Sequence, residues 1–278
     1  MAEIFGFDCY SPREVAERVE TVGVTKANLP VLSMSALGVL AGGFIGFGAL
    51  FATIVLSDGA LSFGIARVLA GMVFSLGLIL VVVAGAELFT GNNLLVMAFV
   101  AGRIGAGKLL ANFAIVYVAN LVGAAGLAAL VALAGHGGMN SGALGRTAVA
   151  IAAAKVALPF SEAFFRGVLC NVLVCLAVWL AMAGRSVADK ILATVFPIAA
   201  FVAAGFEHSV ANMYFIPLGI FLKEQFGVGV ADSLNWIAFF RSLIPVTLGN
   251  VIGGAGMVGL IYHIIYRRGT APPARNPP

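Results

Sequence analysis

The sequence predicts an all-α polytopic membrane protein whose six transmembrane helices form two inverted three-helix repeats. Three observations carry this. First, the 278-residue chain is 61% hydrophobic and only 10% charged, with a mean hydropathy of +1.06. Ordinary globular chains carry about 25% charged residues, so this much apolar surface cannot be hidden in one soluble core. Second, six apolar runs are long enough to span a bilayer, which takes about 20 residues: Leu29–Leu56, Ile65–Val100, Lys108–Ala134, Pro159–Ala183, Lys190–Leu222 and Trp236–Tyr266. Third, two motifs recur in the same order. G-x-E-x-x-x-x-N interrupts the second run (Gly85 to Asn92) and the fifth (Gly205 to Asn212), while N-x-x-G-x-A-G lies in the third (Asn120 to Gly126) and the sixth (Asn250 to Gly256). A repeat of three spans, an odd number, must be inverted, and broken helices meeting at an inverted-repeat interface are the pattern of transporters and channels.

In chain order, Met1 to Asp8 has neither the basic segment nor the short apolar core of a cleaved signal, so the first span is expected to direct insertion. Ser11-Pro12-Arg13-Glu14 is a capping box with proline at the first helical position. Val15, Val19 and Val22 share the apolar face of the helix that follows, predicting an amphipathic helix along the cytoplasmic interface, within a tail of residues 1–28. Repeat one is assigned to 29–134, repeat two to 142–266 and a second tail to 267–278, all within a single channel domain. Span one carries G-x-x-x-G at Gly38–Gly42 and Gly42–Gly46, a close-packing signal. Span two breaks over 85–93, where Thr90, Gly91, Asn92 and Asn93 suit a loop leading into a capped half-helix whose free N–H groups favour an anion. Gly142 to Val156 reads as a short surface helix, and Lys155 near its end either reaches the outer mouth or snorkels to the interface. Glu162 and Arg166 stand i, i+4 in span four as an ion pair or subunit contact. Asn171, in the apolar middle of that span, is either helix glue or pore lining. Ser186-Val-Ala-Asp189 is a second capping box, and Pro197 and Pro217 bracket the break in span five.

Basic residues set the orientation. Arg13, Arg18, Lys26, Arg103, Lys108, Arg185, Lys190, Arg267, Arg268 and Arg275 fall on one face, against Arg67, Arg146, Lys223 and Arg241 on the other. The positive-inside rule puts the first face, with both termini, in the cytoplasm of a multi-pass cell (inner) membrane protein. The pI near 9.1 therefore reports topology, with no nucleic-acid partner expected. Ionisable groups at membrane depth mark pathways, and Glu87, Glu207 and His208 are such groups. The two break loops are expected to hold each other through Glu87, Glu207, Asn92 and Asn212, with permeation chemistry at Thr90 and His208. His136 and His263 are assigned no specific role, and Cys170 and Cys175 are read as structural thiols. No His or Cys has a ligand-spaced partner and no nucleophile or Walker motif occurs, so neither an enzyme nor a metal or other cofactor is expected. A neutral-solute pore for water or glycerol could share the inverted halves, but two Asn-Pro-Ala motifs are absent and the breaks carry ionisable residues.

Four stretches resemble the formate/nitrite transporter family: Gly85 to Asn92, Arg166 to Trp179, Gly205 to Pro217 and Val246 to Gly254. The similarity runs from the amphipathic helix to span six. It implies an aquaporin-like protomer, a homopentamer in the lipid bilayer, and one pathway per subunit for a small anion moving as or with a proton. Formate leads, with nitrite and hydrosulfide as alternatives. By position, the family's central histidine falls on His208, its loop threonine on Thr90, its vestibule lysine on Lys155 and its pore asparagine on Asn171, with Glu207 and Asn212 flanking the histidine. Residues resembling its two constrictions are Phe74, Leu78, Phe201, Leu88, Phe89 and Val174.

Overall fold

A computed structural model describes residues 9–227 and 233–268; Met1 to Asp8, and the end of the second tail with Arg275, lie outside the described residues. The described residues form helices and connecting turns with no strand. In order these are α1 (Pro12–Ala27), α2 (Val31–Leu56), α3 (Phe63–Gly85), α4 (Phe89–Val100), α5 (Ala106–Leu133), α6 (Ala143–Val156), α7 (Phe160–Ala183), α8 (Val187–Ala204), α9 (Ser209–Phe226) and α10 (Trp236–Tyr266). Six of them are long and apolar enough to cross a membrane: α2, α3, α5, α7, α8 and α10. Spans two and five are each broken in two, giving α3 with α4 and α8 with α9.

The halves pack alike. In the first, α2 runs along α5 and α1 lies on α4; in the second, α7 runs along α10 and α6 lies on α9. The N-x-x-G motifs sit in the long seams. Gly123 of α5 faces the backbone carbonyl of Val39, and Gly253 of α10 faces that of Val168, so closely that a Cβ at either glycine would collide with it. Close backbone approach is how helices associate where lipid offers no hydrophobic drive. The place of α1 on α4 in the first half is thus matched by that of α6 on α9 in the second.

Helix α1 begins as its sequence dictates. Ser11 Oγ accepts from Glu14 N, and the Glu14 carboxylate accepts from Ser11 N at 2.7 Å. Those bonds hold the Glu14 carboxyl below its usual pKa, the Ser11 backbone N–H being the main cause. The apolar face of α1 is covered by protein. Val15, Ala16 and Val19 are buried against Leu94, Met97, Trp179 and Val258, because Ala16, Gly23 and Ala27 keep that face flush with α4. Its buried Glu20 is held by His263 Nδ1 at 3.2 Å and Arg267 Nε at 3.1 Å. His263 thus ties α1 to the end of α10, a role the sequence reading missed. Helix α6 packs one face, Leu144, Ala148, Val149 and Ala152, on α9 and exposes Arg146, Ala150 and Ala154 on the other. Glu162 and Arg166 do pair, at 2.8 Å on the exposed side of α7.

Candidate functional site

Each break begins at a glycine with positive φ, Gly85 at +87° and Gly205 at +74°, a region where a side chain is strained. The chain then runs extended for three residues, Ala86–Leu88 and Phe206–His208, before the next helix starts. The break is thus shorter than the 85–93 expected. Thr90, Gly91 and Asn92 lie in the first turn of α4, because its N-terminus is capped from another helix and needs no capping loop of its own.

The cap is the motif asparagine of the neighbouring span. Asn120 Oδ1 accepts from Phe89 N at 2.9 Å, and its Nδ2 donates to Gly38 O at 2.8 Å and Glu87 O at 2.9 Å. In the other half, Asn250 Oδ1 accepts from Ser209 N at 2.9 Å, and its Nδ2 donates to Gly167 O at 2.8 Å and Glu207 O at 3.0 Å. One side chain therefore satisfies two backbone groups at the break, where helical partners are missing at membrane depth, and ties them to a carbonyl of the adjacent span, Gly38 in α2 or Gly167 in α7. The motif glutamates are fixed the same way in both halves. Asn92 Nδ2 donates to Glu87 Oε2 at 2.7 Å, and Asn212 Nδ2 to Glu207 Oε2 at 2.7 Å. Lys26 then pairs with Glu87 at 3.0 Å, and Lys155 with Glu207 at 2.8 Å.

This corrects one expectation. Glu87, Glu207, Asn92 and Asn212 do not join the two loops; each Glu–Asn pair closes its own break. The loops meet through Thr90 Oγ1 and His208 Nε2, 2.9 Å apart. His208 Nδ1 accepts from Ala211 N at 3.0 Å, capping α9, so the ring proton of the neutral imidazole is assigned to Nε2 and donates to Thr90. Asn171 holds Thr90 from behind, its Nδ2 donating to Thr90 O at 3.2 Å and Asn250 O at 2.7 Å.

Two cavities approach this junction from opposite faces. One, of about 550 Å³, opens on the face where α1 meets the end of α10, and Lys26, Leu78, Glu87, Leu88, Asn92 and Lys190 line it. The other, of about 280 Å³, opens on the far face, lined by Arg67, Phe74, Lys155, Phe201, Glu207 and His208. Apolar side chains line both. Leu78 and Leu88 stand at the first, while at the second Phe74 packs edge-on to Phe201, 5.6 Å between centroids, and Phe201 stacks on His208 at 5.9 Å. Thr90, between them, has no exposed surface.

A family model described as "Formate/nitrite transporter" matches residues 13–264. The chain belongs to the formate/nitrite transporter family. Such proteins are transporters and not enzymes. "Formate channel FocA" of Escherichia coli (strain K12) is 42% identical over 94% of this chain and 96% of its own length. A solved structure titled "Pentameric formate channel with formate bound" aligns with a TM-score of 0.77 at 39% identity, covering 85% of this chain and 97% of that one. An "FNT family ion channel" aligns with a TM-score of 0.81 at 30% identity over 91% and 98%.

Of the positions singled out in this formate/nitrite transporter family member, Thr90 and His208 meet, and Lys155, Glu207 and Asn212 form one hydrogen-bonded set. Leu78, Leu88, Phe74 and Phe201 line the cavities. Phe89 instead packs edge-on to Phe113 and Tyr117, and neither it, Val174 nor Asn171 lines either cavity. Sequence reasoning missed Lys26, counted only toward orientation, and the capping role of Asn120 and Asn250. The signal for Lys26 was present: it precedes span one as Lys155 precedes span four.

Proposed function

We propose that the chain is a membrane channel for small monovalent weak-acid anions, formate foremost, with one pathway per subunit of a homopentamer and with the α1 face in the cytoplasm. The observation that carries this reading is the junction itself: two cavities, each lined by cationic and apolar side chains, approach one buried hydroxyl–imidazole pair from opposite faces.

A carboxylic acid with a pKa near ~4 is almost wholly ionised at neutral pH. A bare charge at the bilayer centre costs at least about 2.5–3.5 kcal/mol, so the Phe74–Phe201 and Leu78–Leu88 constrictions reject the hydrated anion. Cationic side chains at each mouth attract it. Desolvation deeper in the cavity then favours the protonated acid, which crosses as a neutral species, accepting a hydrogen bond from His208 Nε2–H and exchanging one with the Thr90 hydroxyl. Net transport is that of an anion with a proton. The Nδ1 lone pair is occupied by the Ala211 N–H, which makes His208 a fixed donor in this scheme.

Stopped-flow flux of formate, nitrite, hydrosulfide and water into proteoliposomes at two pH values tests it. Formate permeation rising as pH falls is expected. Water permeation without formate flux would contradict the proposal, and faster nitrite or hydrosulfide flux would reassign the substrate within the same architecture.

A further inference from the structure

Each cavity has a conspicuous cation, yet both lysines are neutralised where they stand. Lys155 Nζ lies 2.8 Å from Glu207 Oε1, and Lys26 Nζ lies 3.0 Å from Glu87 Oε1. Seen by an anion at the mouth, a contact ion pair is a dipole, whose pull falls off faster than that of a free charge. Arg166, a third cation of the far cavity, is paired with Glu162 at 2.8 Å.

Arg67 differs. It lines the far cavity beside His208, and its partners are neutral: Nε donates to Ala203 O at 2.9 Å and Nη2 to Val202 O at 2.8 Å. Those carbonyls end α8, so two donors clamp the guanidinium plane across the helix terminus and its charge is fixed beside the cavity. No carboxylate pairs with it among the described residues. The other half repeats the arrangement. Lys190, early in α8 as Arg67 is early in α3, lines the opposite cavity and makes no ion pair among the described residues. Each half thus sends a cation from the first part of its broken span into the cavity at the other half's break.

Resting on the anion-channel reading, we propose that Arg67 and Lys190 supply the unneutralised positive charge that concentrates the anion in the two cavities, while Lys155 and Lys26 hold the break glutamates. Formate uptake is measured in proteoliposomes against formate concentration, at low and high salt, for wild type, Arg67→Gln, Arg67→Lys and Lys190→Gln. A unit charge at roughly 7 Å in a wet cavity changes occupancy about 3- to 7-fold. Arg67→Gln is expected to raise the half-saturating concentration by that factor at low salt, with the maximal rate kept and the difference shrinking as salt screens it. Arg67→Lys stays near wild type. Lys190→Gln, which removes no side-chain hydrogen bond among the described residues, shows the same salt-sensitive shift and keeps the test valid should Arg67→Gln not assemble. Unchanged half-saturation in both neutral variants overturns the inference, as does an Arg67→Lys defect equal to that of Arg67→Gln, which would leave Arg67 only its helix-end role. Wild-type vesicles impermeable to formate, nitrite and hydrosulfide would sink the channel reading, and this inference with it.

Discussion

Replacing Asn250 by alanine removes three hydrogen bonds at once, to Gly167 O, Glu207 O and Ser209 N, all in a site with no solvent access. Hydrogen bonds inside membrane proteins average about 0.6 kcal/mol, reaching about 1.7. Three of them give a loss of about 2–5 kcal/mol; two of the freed groups, Glu207 O and Ser209 N, stand at the break, while Gly167 O lies within α7. Reversible unfolding in mixed micelles measures this. Asn250→Asp should be no milder, since it keeps the acceptor facing Ser209 N but turns an oxygen toward the two carbonyls. Asn120→Ala should lose a similar amount, because its three bonds are the counterparts of those at Asn250. A loss under about 0.5 kcal/mol in both alanine variants would refute the claim that these asparagines hold the breaks open.

Lys155→Met leaves the buried Glu207 carboxylate without its cation and is expected to cost about 3–5 kcal/mol; adding Glu207→Gln should restore most of it in the same unfolding assay. Gly205→Ala imposes a side chain at φ +74° and crowds the Arg67 guanidinium. A stability loss of about 1–2 kcal/mol should appear, against little change for Gly107→Ala, where the space is open. Because hydrogen bonds from Ser11 lower the pKa of Glu14 in the fold, its contribution to the α1 cap is complete at neutral pH. It is lost only as pH falls through that depressed value, below the usual ~4.3 of a glutamate. Amide exchange at the start of α1, corrected for intrinsic rates, should accelerate in that acid range and not between pH 5 and 7.

Much of this architecture was legible because bilayer chemistry is unforgiving. Apolar runs of the right length gave the spans, and the recurrence of Glu87–Asn92 as Glu207–Asn212, with Asn120 and Asn250 following, gave the inverted repeat. Less legible were partners that only the fold brings together. Nothing in one sequence pairs Asn120 with Phe89 N, so the first turn of α4 read as loop. Lys26 looked like a charge counted for orientation because its partner Glu87 lies across a whole span. The valine stripe of α1 reads equally as a face for lipid or for protein; the small residues Gly23 and Ala27 decide for protein only once α4 is seen opposite them. His263 was passed over for the same reason, its carboxylate partner Glu20 being at the other end of the chain.

The central claim is that the permeating species crosses at the contact of Thr90 Oγ1 with His208 Nε2. Formate flux into proteoliposomes at pH 5.5 and 7.5 tests it most directly, comparing wild type with Thr90→Val, which keeps the side-chain shape, His208→Asn, which keeps an N-capping group for α9, and His208→Phe. Faster wild-type flux at the lower pH is expected, with flux at both pH values reduced in all three variants while the proteins remain assembled. Variants matching wild type in flux at both pH values would contradict it.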